Sequence, residues 1–267
     1  MPITKILLQV DLSERSLGAA IYAKSLAAEL RAELVFLHAL QRGWPLATAE
    51  KNVRDRILDA AGHAHRFLFR EGSPVSVILN TAEVERVNLI LVPARGTPAL
   101  SRFFGHSTTA QVLRGAHCAV WVGLDNLPPL SNRPIRNVLC GLSLGPRASA
   151  ILCWSAALAA RFDARLSVIH ASTALESNPR LPFDEEWRIW LNKITRDDIR
   201  ALQTGVGTDA EVWLEPGTPL TAIPPLADHV RADLLVIGKS PHRRFFGDLR
   251  TLSYDIACRV GCPVASV

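Results

Sequence analysis

The first half of the chain is repeated in the second half. Residues 3–39 align without a gap on residues 135–171. The matching positions include Ile3 and Ile135, Leu7 and Leu139, Leu12 and Leu144, Arg15 and Arg147, Leu34 and Leu166, His38 and His170, and Ala39 and Ala171. The closing segments correspond as well, with Ser107 on Thr251 and Cys118–Val120 on Cys262–Val264. A repeat this long predicts two related domains rather than a short-period solenoid.

The repeat divides the 267 residues into two units of ordinary domain size, each long enough to bury its own core. We assign residues 1–124 to copy one and residues 135–267 to copy two. Between them, residues 125–134 contain three prolines and show no hydrophobic periodicity. Such a segment is typical of a stiff linker.

In copy one, short apolar runs alternate with segments of helical periodicity. The pattern predicts strands at Ile6–Val10, Leu34–Leu37, Val75–Leu79 and Leu89–Val92, and helices starting after Ser13, from about Thr48 to Arg70 and over Thr81–Val87. The second helix would bury a stripe of Val53, Ile57, Ala60, Ala64 and Phe67. Ser13 is predicted to cap the first helix.

Copy two repeats this alternation. Strands are predicted at Val138–Leu142, Leu166–Ile169, Ala210–Leu214 and Leu234–Ile237, with helices at Ala148–Phe162, around Trp187–Ile194 and near Leu220–Val230. Continuous apolar strands separated by helices indicate a parallel sheet covered on both faces. The predicted fold class is therefore α/β, with two tandem doubly wound parallel-sheet domains.

The composition favours a cytoplasmic protein that binds neither membranes nor nucleic acid. The five cysteines are scattered without metal-type spacing, and no charged-then-apolar leader is present at the N-terminus. The most apolar stretch, Ala148–Ala160, is shorter than the roughly 20 residues that cross a bilayer. The net charge of +5 comes from arginines interleaved with acids, and basic and aromatic residues combine only at His242–Phe246. We interpret that segment as a solvated surface.

Candidate ligand sites follow from the predicted sheet. In open parallel sheets, ligands bind at the carboxyl ends of strands, and phosphates bind at helix N-termini. The corresponding loops of copy one are residues 11–13, 38–39 and 93–108, and those of copy two are residues 143–145, 170–171 and 238–251.

The segments that flank these loops match a known family. The chain resembles a tandem universal stress protein in three segments of copy one and in their counterparts in copy two. These segments are the first strand with its loop (Lys5–Ser13), the second strand ending in His38, and Gln111–Arg114 followed by Cys118–Val120. This resemblance implies a fold like that of adenine-nucleotide hydrolases. It also implies an internal pseudo-dimer, in which the final strands of the two copies, Ala119–Gly123 and Val264–Val267, pair with each other.

The resemblance also implies a nucleotide site in copy one. Family members that bind ATP use a G-x2-G-x9-G-S/T loop for the phosphates and an Asp after the first strand near the adenine. The matching residues are Asp11, Leu12, Ser13, His38, Gly96, His106, Ser107 and Thr108. Pro93 and His106 replace two of the three glycines, which weakens the cradle because proline fixes φ and lacks an N–H donor. Ser107 and the following amides could still hold one phosphate, with His106 or Arg95 supplying charge.

Copy two departs further from the pattern. Ser143 replaces the acid, and the candidate phosphate residues are Gly238, Lys239, Arg250 and Thr251, with Ser240 or Pro241 near the second glycine position. The loop is strongly cationic, so side chains could hold an anion in place of the backbone. The alternative is a degenerate, solvated loop in a half that serves only as a partner.

Other candidate sites favour structural roles. His63 and His65 lie two residues apart on a predicted helix and face different directions, so no metal site follows. His38 and His170 are expected to hydrogen-bond nearby loops. Cys118 and Cys262 are expected to be small buried hydrophobes, with a redox role left open. Trp187 and Trp190 form a helix stripe, typical of a core or a subunit contact.

Three functional hypotheses remain open. The first is a cytoplasmic stress-response protein that acts by binding and conformational signalling, with ATP or another adenine nucleotide, with Mg²⁺, as its ligand. The second is a slow ATPase or nucleotidyl-transfer enzyme that uses Asp11, Ser107 and a metal ion. The third is an interaction scaffold without a nucleotide. No G-x-S-x-G, Walker or Rossmann motif supports another class. The apolar helix stripes predict a homodimer beyond the internal pseudo-dimer.

Overall fold

The computed structural model describes residues 3–11, 13–40, 46–61, 66–93, 107–124, 127–177, 183–239 and 252–267. The chain forms two compact units, and the first stretch of the second unit begins at Ile135. Among the described residues, no helix has both the length and the apolarity that crossing a membrane requires.

The first unit alternates strands and helices around a parallel sheet. Its elements are β1 (Lys5–Gln9), α1 (Glu14–Leu30), β2 (Glu33–Leu40), α2 (Leu46–Ala61), β3 (Arg66–Glu71), α3 (Pro74–Val84), β4 (Leu89–Val92), α4 (Thr108–Gly115) and β5 (Ala119–Val122). The strand order is β3-β2-β1-β4-β5, and β1 pairs in parallel with both β2 and β4. All four residues of β4 are buried, as expected for a sheet covered on both faces.

The second unit repeats this arrangement. Its elements are β6 (Asn137–Gly141), α5 (Ala148–Phe162), β7 (Arg165–Ser172), a short 3₁₀ turn (Thr173–Leu175), α6 (Asp184–Val206), β8 (Glu211–Pro216), α7 (Pro219–His229), β9 (Leu234–Ile237), α8 (Leu252–Ala257) and β10 (Val264–Ser266). The order is β10-β9-β6-β7-β8, so β6 takes the position of β1. The predicted fold, two tandem doubly wound α/β domains, is confirmed.

Local features of the backbone are duplicated as well. Helix α1 begins after Ser13, whose hydroxyl accepts the Ser16 N–H, so the predicted cap is confirmed. Helices α1 and α5 both end in a left-handed residue, Arg31 at φ 54° and Asp163 at φ 50°. Such a cap satisfies carbonyl groups that the last turn leaves without partners.

The prediction of one helix from about Thr48 to Arg70 is wrong. Helix α2 ends at Ala61, and Arg66–Glu71 form strand β3. Phe67 lies opposite Phe36 of β2, with ring centroids 5.1 Å apart. Hydrophobic periodicity alone cannot distinguish a strand from a helix in an apolar run as short as Arg66–Glu71. The aromatic residues of this run favour a strand. His63 and His65 lie outside the described residues.

The prediction of a strand at Val75–Leu79 is also wrong, because these residues belong to helix α3. The helix begins with Pro74, and its cap Ser73 accepts the Ser76 N–H at 3.3 Å. Proline at the first helical position is favoured because its missing N–H is not needed there. The predicted Thr81–Val87 helix is therefore the end of α3 rather than a separate element.

Part of the predicted linker packs on the first unit. Leu130 is buried, and its N–H donates to Ser25 Oγ of α1 at 3.0 Å. Ser25 Oγ in turn donates to the Tyr22 carbonyl at 2.7 Å. The segment is thus held against helix α1 by both apolar and polar contacts.

Candidate ligand cleft of copy one

A small cleft, lined by several polar residues, lies at the carboxyl edge of the first sheet. Strand β1 lies between β2 and β4. Successive strands are added on one side of β1 up to β3 and on its other side from β4 onward, and ligands of doubly wound folds bind at such a switch in strand order. Residues at the end of β1, the start of α1, the end of β4 and the start of α4 line the cleft, among them Asp11, Ser13, Ser16, Pro93, Thr108 and Thr109. The fold therefore brings the predicted residues Asp11, Ser13 and Thr108 together.

Asp11 is held by the first turn of α1. Its Oδ1 accepts the Ser13 N–H at 2.9 Å, the Ser13 hydroxyl, and the Ser16 hydroxyl at 2.7 Å. The Asp11 N–H donates to Ser16 Oγ at 2.9 Å. These bonds fix the carboxylate at the helix N-terminus, where the helix dipole favours a negative charge.

Ser107 is the cap residue of helix α4 and directly precedes Thr108, which lines the other side of the cleft. Its side-chain oxygen is buried and makes no hydrogen bond, although the residue occupies the cap position. The first N–H groups of a helix have no partner within the helix, so Thr108 and Thr109 present donors there. Thr109 Oγ1 donates to the Pro93 carbonyl at 3.3 Å, which ties α4 to the end of β4.

Several predicted site residues lie outside the described residues. They are Leu12, Gly96, His106, Arg250 and Thr251. Among the described residues, Pro93 occupies the position of the first motif glycine and is buried. Proline provides no N–H, so this position cannot donate to a phosphate.

His38 and His170 make the same contact in the two units. The Nδ1 of His38 lies 2.8 Å from the Val10 carbonyl, and that of His170 lies 2.9 Å from the Leu142 carbonyl. Because a carbonyl only accepts, each Nδ1 carries the proton. The expected hydrogen bond to a neighbouring segment is confirmed for both histidines, and in copy one it holds the strand end that leads into Asp11.

Copy two lacks the polar cluster. Ser143, Gly145 and Ala148 occupy the positions of Asp11, Ser13 and Ser16. Helix α5 starts after Arg147, whose side chain makes no capping hydrogen bond. The two clefts therefore share a fold but differ in chemistry.

Gly238 of copy two has a packing role. A Cβ at this position would lie 2.5 Å from Ile151 Cδ1 of helix α5. The glycine at the first motif position thus allows close approach of α5 to the end of β9. The next residue, Lys239, donates its N–H to the Val267 carbonyl at 2.8 Å.

Comparison with known proteins identifies the family. The sequence model of the universal stress protein family matches residues 40–122 and 134–266, which is most of the chain. The chain belongs to the universal stress protein family. The resemblance predicted from the sequence is thereby confirmed.

The following relatives of this universal stress protein are distant from it in sequence. A curated universal stress protein of Mycobacterium tuberculosis is 26% identical over 145 residues, 51% of this chain and 48% of the relative. The matched region thus spans about half the length of that relative. A universal stress protein structure from Archaeoglobus fulgidus covers 98% of this chain and 95% of its own, with 19% identity and a TM-score of 0.69.

A second solved structure, of a putative universal stress protein from Pseudomonas aeruginosa, covers 99% of this chain and 93% of its own. It is 18% identical, with a TM-score of 0.72. At this identity the likeness concerns the fold, which both structures share with this chain along nearly its whole length.

The structure places the cysteines of this universal stress protein and the potential metal ligands among the described residues. No cluster of three or more His, Cys, Asp or Glu side chains that could hold a metal occurs among the described residues. All five cysteines lie within the described residues, and none of them forms a disulfide bond. Burial raises the pKa of the Cys140 thiol to about 12, so Cys140 is not a nucleophile at neutral pH. Cys262 is buried as expected, and Cys118 is only partly buried.

Two polar residues of the cleft are not among those that the sequence predicts. Ser16 and Thr109 are 4% and 1% exposed, and both contribute hydroxyl groups at the edge of the cleft. Ser16 could have been predicted from its spacing, because it lies three positions after the cap residue Ser13, and these two positions meet in the first helical turn. No comparable signal marks Thr109, whose contact with Pro93 depends on tertiary packing.

Proposed function

We propose that this universal stress protein binds one adenine nucleotide, in the copy-one cleft, and acts as a cytoplasmic sensor in the stress response. Copy two serves as its structural partner and holds no nucleotide. Signalling follows from binding rather than from turnover. The observation that carries this proposal is that the fixed Asp11 carboxylate shares one cleft with the start of helix α4, where Thr108 and Thr109 follow the unsatisfied Ser107 hydroxyl.

The start of helix α4 suits a phosphate group. Buried polar groups are normally hydrogen-bonded, and the Ser107 hydroxyl lacks a partner. A phosphate oxygen at this point would accept from that hydroxyl and from the N–H groups of Thr108 and Thr109, aided by the helix dipole. Mg²⁺ would accompany the nucleotide and neutralise part of the phosphate charge.

The opposite end of the cleft suits the nucleoside. Asp11 is oriented by three donors from the first turn of α1, so its position does not depend on the ligand. A carboxylate held in place accepts hydrogen bonds from a base or a ribose without losing further side-chain entropy. The family places an acid at this point near the adenine.

The difference between the copies supports one site per chain. The cluster of carboxylate and hydroxyl groups in copy one corresponds to Ser143, Gly145 and Ala148 in copy two. Gly238, the remaining motif glycine of copy two, lies against Ile151, whose Cδ1 would be 2.5 Å from a Cβ at this position. Its retention therefore has a structural explanation that involves no phosphate.

Calorimetric titration with Mg²⁺–ATP tests the proposal. The unmodified chain should bind one nucleotide, Asp11→Ala should lose the binding heat, and the matched copy-two variant Ser143→Ala should retain it. Ser107→Ala should weaken ATP binding about 10-fold or more, since a hydrogen bond to a charged group contributes about 1.5–3 kcal/mol. The same substitution should affect adenosine little, because adenosine has no phosphate.

Three outcomes contradict the proposal. No heat at millimolar ATP would favour an interaction scaffold. Phosphate release that is lost in Asp11→Ala would favour a slow ATPase. Two sites per chain, with one of them lost in Ser143→Ala, would show that copy two is active.

A further inference from the structure

One face of helix α6 is apolar and exposed. Trp187, Trp190 and Ile194 recur at spacings of three and four, so they share this face, and they are 52%, 51% and 36% exposed. Phe183, directly before the helix, is 76% exposed. The rings of Trp187 and Trp190 stack with centroids 4.9 Å apart. We call these four residues the aromatic ridge.

The aromatic ridge does not belong to the core of its own unit. The buried residues of α6 are Thr195, Ile199 and Gln203, which lie on the other side of the helix. Monomeric proteins rarely expose large contiguous apolar patches, and those that occur often mark interaction sites. The sequence left two interpretations of the tryptophan stripe, part of the core or a subunit contact. The stripe is not part of the core of the second unit.

The same helix carries a groove beyond the ridge. Towards its C-terminal end the bulky residues give way to Ala201 and Gly205, and a groove of about 440 Å³ opens between α6 and the start of α5. Leu144, Ala148 and Leu202 also line it, and Asp198 adds one carboxylate to the lining. We call this feature the α5–α6 groove.

Ridge and groove are complementary under a two-fold rotation. In a pair of antiparallel α6 helices, residues at equal distances from the axis face each other. An axis near Arg196 sets Trp190 of one copy against Leu202 of the other, and Trp187 against Gly205. A two-fold interface uses the same patch on both subunits and must therefore complement itself. Here each aromatic ridge would fill the groove of the opposite copy.

The charges beside the ridge fit the same arrangement. Lys193 and Asp197 lie four residues apart on one flank of the exposed face. The same axis near Arg196 leaves Lys193 of one copy offset from Asp197 of the other by two residues, about 3 Å along the helix, which a lysine side chain can span, and the symmetry makes this ion pair twice. A parallel arrangement would set like charges against each other.

The exposed area is of the size that a dimer requires. Given 150–250 Å² for each aromatic side chain, the ridge exposes roughly 400 Å² of apolar surface per copy. Two ridges, two grooves and the charged rims together reach the lower range of specific interfaces, about 1,200 Å² in total. We propose that the aromatic ridge and the α5–α6 groove bind a second copy of this chain through antiparallel α6 helices.

Sedimentation velocity over a micromolar dilution series tests this interface. The unmodified chain should associate to a dimer, and Trp190→Lys should raise the dissociation constant at least about 30-fold, as for a hot-spot residue. Ala201→Trp should do the same by filling the groove. The control is Ile189→Lys, since Ile189 is 63% exposed but lies off the ridge. A monomeric unmodified chain, or a dimer that resists Trp190→Lys, would overturn the proposal.

A charge reversal tests the antiparallel geometry. Lys193→Glu should weaken the dimer, and the double variant Lys193→Glu with Asp197→Lys should restore it. Failure of the double variant to restore association would overturn this arrangement. Circular dichroism checks that each variant folds. A chain that stays monomeric and binds phosphatidylserine vesicles through Trp190 would identify a membrane-docking surface and also overturn the proposal.

Discussion

Ser16 and Asp11 exchange two hydrogen bonds at the start of helix α1. The Ser16 hydroxyl accepts the Asp11 N–H at 2.9 Å and donates to Asp11 Oδ1 at 2.7 Å. Ser16 is 4% exposed, so water has little access to replace it. Copy two has Ala148 at this position and cannot make either bond. The pair therefore marks the chemical difference between the two clefts.

Ser16→Ala should lower both stability and nucleotide affinity. Loss of the hydroxyl leaves the Asp11 N–H without its partner, and we expect the free energy of unfolding to fall by about 1 kcal/mol. A less ordered Asp11 should weaken ATP binding by about fivefold, which corresponds to a similar energy. Urea unfolding and calorimetry measure the two effects. Ser25→Ala, which removes hydrogen bonds on the same helix away from the cleft, should affect stability alone. Unchanged affinity in Ser16→Ala would show that the pair has no role in binding.

The elements of copy two follow closely from its sequence, and those of copy one follow less well. The two wrong assignments concern β3 and the start of α3. The internal repeat contains the information that corrects both assignments. Gly72-Ser73-Pro74 matches Gly217-Thr218-Pro219, and each triplet follows a strand and begins a helix. Both glycines have positive φ, at 137° and 108°, which favours glycine at this turn. Hydrophobic periodicity alone does not use this information.

The candidate site is only partly encoded in local sequence. Asp11 and Ser13 are predictable because they directly follow a buried strand and begin a helix. Thr109 is not, because its contact with the Pro93 carbonyl joins two segments that are distant in the chain. The unsatisfied state of the Ser107 hydroxyl likewise depends on burial by surrounding elements. Such features emerge only from tertiary packing.

Substitution of the two equivalent histidines should separate stability from binding. His38→Ala and His170→Ala each remove a donor to a strand-end carbonyl. Each should lower the free energy of unfolding by about 1–2 kcal/mol. Only His38→Ala should also weaken nucleotide binding, because Val10 directly precedes Asp11. Equal loss of affinity in both variants would argue against a single site in copy one. Thermal or urea unfolding and calorimetry provide the measurements.

Gly238→Ala should destabilise the protein through crowding against Ile151. The new Cβ would lie 2.5 Å from Ile151 Cδ1, the end of a side chain that can rotate, so we expect a cost of about 1 kcal/mol, at the lower end of the range for overpacking. Ile151→Val removes that carbon and alone costs about 0.5–1.5 kcal/mol. In the double variant the two costs should not add, because the clash is relieved. Urea unfolding of the four proteins measures the coupling. Additive costs would show that Gly238 is not retained for packing.

An ion-pair network joins strands β1, β2 and β3 to the end of helix α3. Arg66 donates to both carboxylate oxygens of Glu85, at 2.6 and 3.0 Å. Lys5 lies 3.2 Å from Glu33 and 3.6 Å from Glu85. The hydrogen bonds from Arg66 lower the pKa of Glu85 below its ordinary value of 4.5. A lowered pKa in the folded state means that the ionised carboxylate stabilises the fold.

Glu85→Gln should therefore reduce stability at neutral pH and much less in acid. The contribution of Glu85 is fully present above its unfolded-state pKa near 4.5 and is lost as the pH falls through the lower folded-state pKa. At pH 7 we expect the free energy of unfolding to fall by about 0.5–1 kcal/mol, since the network is near the surface. Urea unfolding between pH 7 and strongly acidic pH measures the difference between the two proteins. Glu83→Gln, at an exposed position of the same helix, should behave like the unmodified chain. A difference that persists unchanged below the folded-state pKa would mean that packing of the side chain, rather than its charge, stabilises the fold.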